Sequence, residues 1–182
     1  GGLTIVVSPL IALMRDQVRQ LQALGVSAGA LNSAQDPDET SAIWRALREG
    51  SLRLLYVSPE RLLVEGFAER LKSAGARRLA VDEAHCVSEW GHDFRPDYRD
   101  LRRAAEALGN PPILALTATA GRAVREDVVA RLFSGPPEIF VHSFDRPNLD
   151  LAFAEKSAPR RQIEEFLGRH RGDGGIIYCA SR

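Results

Sequence analysis

The sequence predicts an α/β protein built on a parallel sheet, and three observations support that prediction. Short apolar runs rich in β-branched residues alternate with segments of helical period. This strand, helix, strand, helix order is typical of parallel α/β sheets. The chain of 182 residues, 45% of them hydrophobic, is long enough for one core, or for one domain and part of another.

The first strand and helix are predicted from the beginning of the chain. The run "LTIVVSP" at 3–9 is typical of a buried strand, and apolar residues at helical spacing from Leu10 to Leu24 predict a helix that Gly25 ends. In "DPDET", Asp36 is a predicted N-cap with Pro37 in the first turn of the next helix. The local sequence therefore predicts where the first helix ends and where the second helix begins.

Three further strands and another boundary follow. The runs at 52–59, 77–85 and 113–120 predict strands, and "GRAVREDVVARLF" after the last of them predicts a helix. The run "EIFVHS" at 138–143 predicts the last strand of this unit, and the polar turn after it predicts a domain boundary near Asp145.

The remaining residues predict the beginning of a second α/β unit. A helix is expected from about Pro159 to His170, followed by an apolar strand, "GGIIYCA", at 174–180. The predicted domains are therefore 1–144 and 145–182. The chain begins without methionine and stops directly after an apolar run, so we expect both ends to be cut.

Composition excludes several classes of protein. The longest apolar runs fall far short of the roughly 20 residues of a membrane span, and no leader is expected, which predicts a cytoplasmic protein without a membrane partner. Cys86 and Cys179 are too few for a disulfide framework or a four-cysteine zinc site. The net charge is +0, so any nucleic-acid binding has to be local, and the arginine clusters have the ordinary explanation of solvated helix faces.

Polar residues end four of the predicted strands. In an open parallel sheet, ligands bind at the carboxyl ends of the strands. Each ending also has an ordinary explanation as a turn or a helix cap, but their shared position favours a site. The endings are Ser8-Pro9, Ser58-Pro59-Glu60, Asp82-Glu83 and Thr117-Ala118-Thr119.

Asp82 and Glu83 carry the strongest chemical signal. A carboxylate after a buried strand can hold Mg²⁺ through its water shell, and a second beside it can orient a water for attack on a γ-phosphate. From these two residues alone, a structural acidic turn and a metal-dependent hydrolase stay open. The hydrolase would use His85, Cys86, His92 and Asp93.

The order of several short motifs resembles a known family. "DEAH" followed by "CVSEWGHDFRPDY" resembles the Walker B motif and aromatic-rich loop of RecQ helicases. The blocks "SPLIALMRDQV", "LLYVSPERL", "ALTATA", "SFDRPN" and "GIIYCASR" are similar to that family's other motifs in the same order. "DEAH" alone is shared by several helicase groups, whereas "DEAHC" with "EWGHDFRPDY" and "FDRPN" is specific.

The resemblance implies an ATP-dependent 3′-5′ DNA helicase of superfamily two that acts in repair and recombination. It implies a RecA-like lobe of the P-loop NTPase type and the start of a second RecA-like lobe. The partners implied are single-stranded and partly duplex DNA, with nucleoid association if the source is a bacterium. The cofactors implied are ATP and Mg²⁺, without a zinc site in these residues.

The resemblance also assigns residue roles. Asp82 would coordinate Mg²⁺ through water, Glu83 would position the attacking water, and His85 would relay the nucleotide state with the two threonines. DNA contact or coupling is expected at Ser8, Pro9, Ser58, Pro59, Arg61, Trp90, His92, Phe94, Arg95, Thr117, Thr119, Ser181 and Arg182.

The aromatic stretch beside the acidic pair has two interpretations. In the first, Trp90 and Phe94 offer flat faces for bases, Gly91 lets the loop bend, and the loop reports bound DNA to the carboxylates. In the second, the two rings pack under the loop as a small satellite core.

One departure from the family limits the expected activity. The sequence contains no G-x-x-x-x-G-K-[ST] loop, so the first strand, its phosphate loop and the upstream adenine-reading segment are expected to be missing. These 182 residues are therefore expected to be inactive alone. A degenerate, non-hydrolysing DNA-binding module and an unrelated metal-dependent hydrolase stay open as alternatives.

Overall fold

A five-stranded, all-parallel sheet forms the centre of the larger unit in the computed structural model. The structure describes residues 2–32, 35–142 and 147–178. The strand order is β2-β3-β1-β4-β5, so the sheet predicted from the alternating pattern is confirmed. The strands are β1 Leu3–Val7, β2 Ala28–Leu31, β3 Leu54–Val57, β4 Ala76–Val81 and β5 Ile113–Ala115.

Helices follow most of the strands. Helix α1 is amphipathic and buries Met14 and Val18, while Asp36 caps α2 by accepting a hydrogen bond from the Asp38 N–H at 2.8 Å, as the sequence predicts. The helices are α1 Ile11–Ala23, α2 Pro37–Arg48, α3 Pro59–Leu62, α4 Phe67–Ser73, α5 Pro96–Arg99, α6 Leu101–Ala107, α7 Arg122–Leu132 and α8 Pro159–Arg169, with a 3-10 helix at Ala84–Val87.

Apolar side chains cover both faces of the sheet. On one face, Ile5, Leu55 and Leu79 belong to a large cluster that includes residues of α4, α6 and α7. On the other face, Val6 and Tyr56 pack with Met14 of α1. Burial on both faces explains why these strands are continuous apolar runs rather than alternating ones.

The chain divides into two units, Gly1–Ile139 and Phe140–Arg182. The boundary predicted near Asp145 falls at 143–146, outside the described residues. In the second unit, α8 confirms the helix predicted from Pro159. Its exposed face carries ion pairs four residues apart, with Arg160 Nε 2.9 Å from the Glu164 carboxylate.

Two strand predictions are wrong for the residues that the structure describes. Residues 138–142 and 174–178 adopt no strand, and Phe140 and Tyr178 among them are largely exposed. A strand needs a paired neighbour for its backbone groups, which a short apolar run does not provide by itself. The structure also adds β2, whose sequence "AGAL" is too short and too weakly β-forming to be predicted.

Candidate functional site

The carboxyl ends of three neighbouring strands bring Ser58, Ser8 and Asp82 side by side. The pairing aligns Val7 of the central strand β1 with Val57 on one side and Val81 on the other. The Ser8 N–H donates to the Val57 carbonyl at 3.2 Å, and the Asp82 N–H donates to the Val7 carbonyl at 2.9 Å. The polar endings therefore lie at one sheet edge, as their sequence positions predict.

The backbone turns sharply at Glu83. Its φ of 48° and ψ of 45° are left-handed, which is uncommon for a residue other than glycine, asparagine or aspartate. The Asp82 carboxylate accepts a hydrogen bond from the Glu83 N–H at 3.0 Å, and the Ala84 N–H donates to the Leu116 carbonyl at 2.8 Å. These bonds hold the strained turn in place, so the two carboxylates have fixed positions relative to β4 and β5.

His85 links the acidic turn to the segment after β5. The ring is buried, and its Nδ1 lies 2.9 Å from the Thr117 hydroxyl and 3.3 Å from a Glu83 carboxylate oxygen. The Thr119 N–H donates to the same Thr117 hydroxyl at 3.3 Å. The imidazole is therefore hydrogen-bonded to Thr117 and in close contact with the Glu83 carboxylate, so these predicted site residues form one contiguous group.

The aromatic loop, residues 88–95, follows directly. Trp90 is 78% exposed, so it lies outside the core that the second interpretation requires. Phe94 is half-buried, with the Arg99 guanidinium 5.6 Å from its ring centre. His92 stacks on His85 with ring centres 4.4 Å apart and an interplanar angle of 20°. The loop therefore contacts the acidic turn through an imidazole pair and exposes one large ring.

Gly91 is required by a close approach of the backbone. A Cβ atom at this position would lie 2.6 Å from the His85 carbonyl oxygen and 3.1 Å from that of Ser88. Both neighbours are backbone atoms, which cannot move aside as the end of a flexible side chain can. The loop therefore folds over the 3-10 helix only because residue 91 has no side chain.

Arg95 connects the loop to the end of β1. Its Nη2 donates to the Asp93 carboxylate at 3.0 Å, and its Nη1 donates to the Pro9 carbonyl at 3.4 Å. Burial lowers the pKa of Arg95, but the hydrogen bond and the charge of Asp93 outweigh it and raise the pKa overall. The guanidinium therefore already has an acidic partner and a carbonyl partner.

The other residues predicted to contact DNA have mixed environments. Ser8 and Ser58 are buried, and their hydroxyl oxygens have no hydrogen-bond partner among the described residues. Pro59 is buried, whereas Arg61 is half-buried with its guanidinium 5.1 Å from the centre of the Phe67 ring. Their DNA role stays a prediction. Ser181 and Arg182 lie outside the described residues.

Sequence reasoning did not assign Tyr98 to the site. Its side chain is fully buried, and its hydroxyl donates to the Asp82 carbonyl at 3.0 Å. Burial, helped by the nearby Cys86 and Asp82, raises the pKa of Tyr98, so the phenol stays protonated and keeps donating. The only sequence signal was its place in the aromatic stretch.

A second missed contact anchors the beginning of the aromatic loop. The buried Ser88 hydroxyl donates to the Asp127 carboxylate of α7 at 2.8 Å. A separation of 39 residues gives no sequence signal for this pair.

The environment of Cys86 bears on the alternative of a metal-dependent hydrolase, which would need this thiol as a ligand. Burial, together with the nearby Asp93, raises the pKa of Cys86 to about 11, so the thiol is neutral near pH 7 and is a poor ligand. The described part of the chain contains no group of three or more His, Cys, Asp or Glu that could hold a metal ion. An Asp carboxylate at a strand end does suit Mg²⁺, which keeps several waters and needs few protein ligands.

Comparison with protein families identifies the class. Residues 1–127 match the family described as "DEAD/DEAH box helicase", and the chain belongs to that family. The chain is 45% identical over 181 residues to "ATP-dependent DNA helicase RecQ" of Pasteurella multocida, covering 100% of this chain and 29% of that protein. It is 40% identical over 182 residues to the protein of the same name from Bacillus subtilis, covering 100% of this chain and 31% of that protein. The RecQ resemblance inferred from the motifs is confirmed, and the chain spans less than a third of these relatives.

Solved structures show the same fold at lower identity. The structure of Mycobacterium smegmatis helicase Lhr bound to ssDNA and AMP-PNP has a TM-score of 0.52 at 22% identity, covering 93% of this chain and 25% of that one. A hypothetical ATP-dependent RNA helicase from Sulfolobus tokodaii has a TM-score of 0.51 at 18% identity, covering 72% of this chain and 38% of that one. The RecA-like α/β fold is therefore confirmed.

No helix in the described ranges is long and apolar enough to cross a membrane.

Proposed function

We propose that this chain is part of an ATP-dependent DNA helicase that couples ATP hydrolysis to DNA unwinding in the 3′-5′ direction. One observation carries the proposal: the Asp82-Glu83 turn, His85 and Thr117 form a single group, and the aromatic loop contacts that group through His92. Such contact is what coupling requires, because a change at the loop reaches the carboxylates through directly touching side chains. The similarity of these 182 residues to part of proteins named ATP-dependent DNA helicase supports it.

In this proposal each carboxylate has its own role. Mg²⁺, when bound to the nucleotide, neutralises phosphate charge, and Asp82 would hold it through water. Glu83 would accept a hydrogen bond from the attacking water and orient it. The strained turn fixes the direction of the Glu83 side chain, and His85 ties that side chain to Thr117.

DNA is the proposed partner of the aromatic loop. The exposed Trp90 ring can stack on bases without sequence preference, which suits single-stranded and partly duplex DNA. We extend the proposal to a role in DNA repair and recombination and to a cytoplasmic, nucleoid-associated location in a bacterial source.

The decisive test is Glu83→Gln in the full-length protein. ATP binding should persist, because the amide keeps the size of the carboxylate, while DNA-stimulated hydrolysis should fall on the order of 10²- to 10⁴-fold. Glu49→Gln, at the exposed end of α2, is the matched control and should keep the parental rate. Near-parental turnover in Glu83→Gln would remove this residue from the mechanism.

A second test concerns residues 1–182 alone. Their sequence contains no glycine-rich loop ending in Gly-Lys-Ser or Gly-Lys-Thr, so nothing in it would hold the β- and γ-phosphates. We therefore propose that the purified 182-residue chain neither hydrolyses ATP nor unwinds DNA. DNA-stimulated phosphate release from rigorously purified material would contradict this proposal.

A further inference from the structure

The segment after β5 holds the 3-10 helix Ala84–Val87 at both ends. Near its beginning, the Thr117 hydroxyl lies 2.9 Å from Nδ1 of His85. Just after its end, the Ser88 hydroxyl donates to the Asp127 carboxylate on α7 at 2.8 Å. One stretch of chain, 117–127, therefore fixes both the acidic turn and the first residue of the aromatic loop.

The Ser88 hydroxyl is both a hydrogen-bond donor and a hydrogen-bond acceptor. It donates to Asp127, and it accepts the backbone N–H of Trp90 at 3.2 Å. Asp127 also forms an ion pair with Arg131, whose Nε lies 3.5 Å from the other carboxylate oxygen. Because Ser88 is fully buried and a charged acceptor strengthens its hydrogen bond, this contact restrains the backbone just before the exposed ring.

We infer that Asp127 is a positioning residue for the aromatic loop, acting through Ser88 to hold Trp90 where it meets DNA. It touches no atom proposed to react, so its effect is on coupling rather than on the chemical step. The inference rests on the proposed function, because it needs the loop to be the element that senses DNA.

The neighbouring side chain on α7 provides a matched control. Glu126 is exposed and forms an ion pair with Arg122 on the same helix. The Arg122 Nε lies 2.9 Å from a carboxylate oxygen of Glu126. Glu126→Ala, like Asp127→Ala, removes one carboxylate from α7. Unlike Asp127→Ala, it removes no contact to the loop. Each variant also removes one ion pair four residues apart on α7, Asp127–Arg131 or Glu126–Arg122, so the contact that only Asp127→Ala removes is the one to the loop.

The experiment uses the full-length protein and measures basal and DNA-stimulated ATPase over a range of single-stranded DNA concentrations. Asp127→Ala is expected to lower the ratio of stimulated to basal rate on the order of tenfold and to raise the DNA concentration giving half-maximal stimulation. Asp127→Asn, which keeps an oxygen acceptor for the Ser88 hydroxyl, should recover a large part of that loss. Glu126→Ala should match the parent in every measurement.

A double-mutant cycle tests whether Asp127 acts through Ser88. If it does, Ser88→Ala with Asp127→Ala should be no worse than the more damaging single variant, whereas independent roles would multiply the two losses. A second readout is independent of ATP. With Trp44 and every tryptophan outside these 182 residues replaced by phenylalanine, acrylamide quenching and fluorescence anisotropy of Trp90 should show a more mobile ring in Asp127→Ala than in Glu126→Ala.

The outcomes separate this inference from the proposed function. An unmodified protein that DNA does not stimulate would refute both. A stimulated parent with an equally stimulated Asp127→Ala variant would refute only the positioning role. If Asp127→Ala instead loses basal and stimulated rates equally and melts much earlier, Asp127 is a structural residue of α7 and the inference fails.

Discussion

The Trp90→Ala variant distinguishes a DNA-stacking ring from a core ring, because the two roles predict losses of stability of different size. A buried Trp side chain removes about 150–250 Å² from water, so a ring that is 78% exposed has only about 30–55 Å² to lose. At about 25 cal/mol per Å², that area corresponds to at most about 1.4 kcal/mol of stability. A Trp in the core would instead cost about 3–5 kcal/mol on truncation.

The expected effect on DNA binding is larger. Base stacking on an aromatic side chain contributes about 1–3 kcal/mol per base, which converts to a loss of affinity of roughly 5- to 150-fold. Trp90→Ala should therefore raise the Kd for single-stranded DNA within that range while the melting temperature falls by only a few degrees. DNA-stimulated hydrolysis should fall with it, because the loop no longer senses DNA.

The assay is fluorescence anisotropy of a labelled oligonucleotide with the full-length protein, beside a thermal melt. Leu24→Ala is the matched control, since Leu24 is 80% exposed just beyond the end of α1 and has no proposed DNA contact. An unchanged Kd in Trp90→Ala would refute the stacking role. A large fall in melting temperature, with all functions lost together, would show that the ring is structural after all.

Three further predictions follow from the contacts around the acidic turn. Tyr98→Phe removes the donor to the Asp82 carbonyl and should destabilise the protein by about 1–2 kcal/mol in chemical denaturation, and an unchanged midpoint would mean that water replaces the hydroxyl. Gly91→Ala should push the loop away from the His85 carbonyl and reduce DNA stimulation more than thermal stability, and normal stimulation would show that the backbone adjusts without cost. Burial raises the pKa of Cys86 from 9.0 to about 11, so the folded state holds this proton more tightly than the unfolded chain. That stability contribution is complete below about pH 9 and is lost as pH rises towards 11. Cys86→Ala should flatten the decline in unfolding free energy over this interval, and an identical pH profile would contradict the assignment.

The sequence by itself determined the elements whose signals are local. The apolar run at Leu3–Val7 and the Asp36 cap of α2 depend on residues a few positions apart, so both were predictable. The parallel arrangement also followed, because alternation of strands and helices permits few other topologies. Because ligand-binding residues follow the carboxyl ends of parallel strands, the sequence also predicts Ser8 and Asp82 at one edge of the sheet.

The sequence predicts strands at 138–142 and 174–178, but the structure has none there, and the reason is physical. Apolar, β-branched sequence makes a strand possible, but its backbone donors and acceptors need a partner strand to satisfy them. β2 shows the converse, because "AGAL" has little propensity of its own and forms a strand by pairing with β3 from Ala28 to Leu31.

Only the tertiary structure decided how the acidic turn is held. Tyr98 reaches the Asp82 carbonyl across 16 residues, and Ser88 reaches Asp127 across 39. The left-handed backbone of Glu83 runs against the local preference of a glutamate and is held by hydrogen bonds, one of which joins Ala84 to Leu116 beyond β5. Sequence periodicity reports which face of an element is apolar, whereas these contacts depend on where separate elements meet in space, and that is fixed only when the whole sheet has formed.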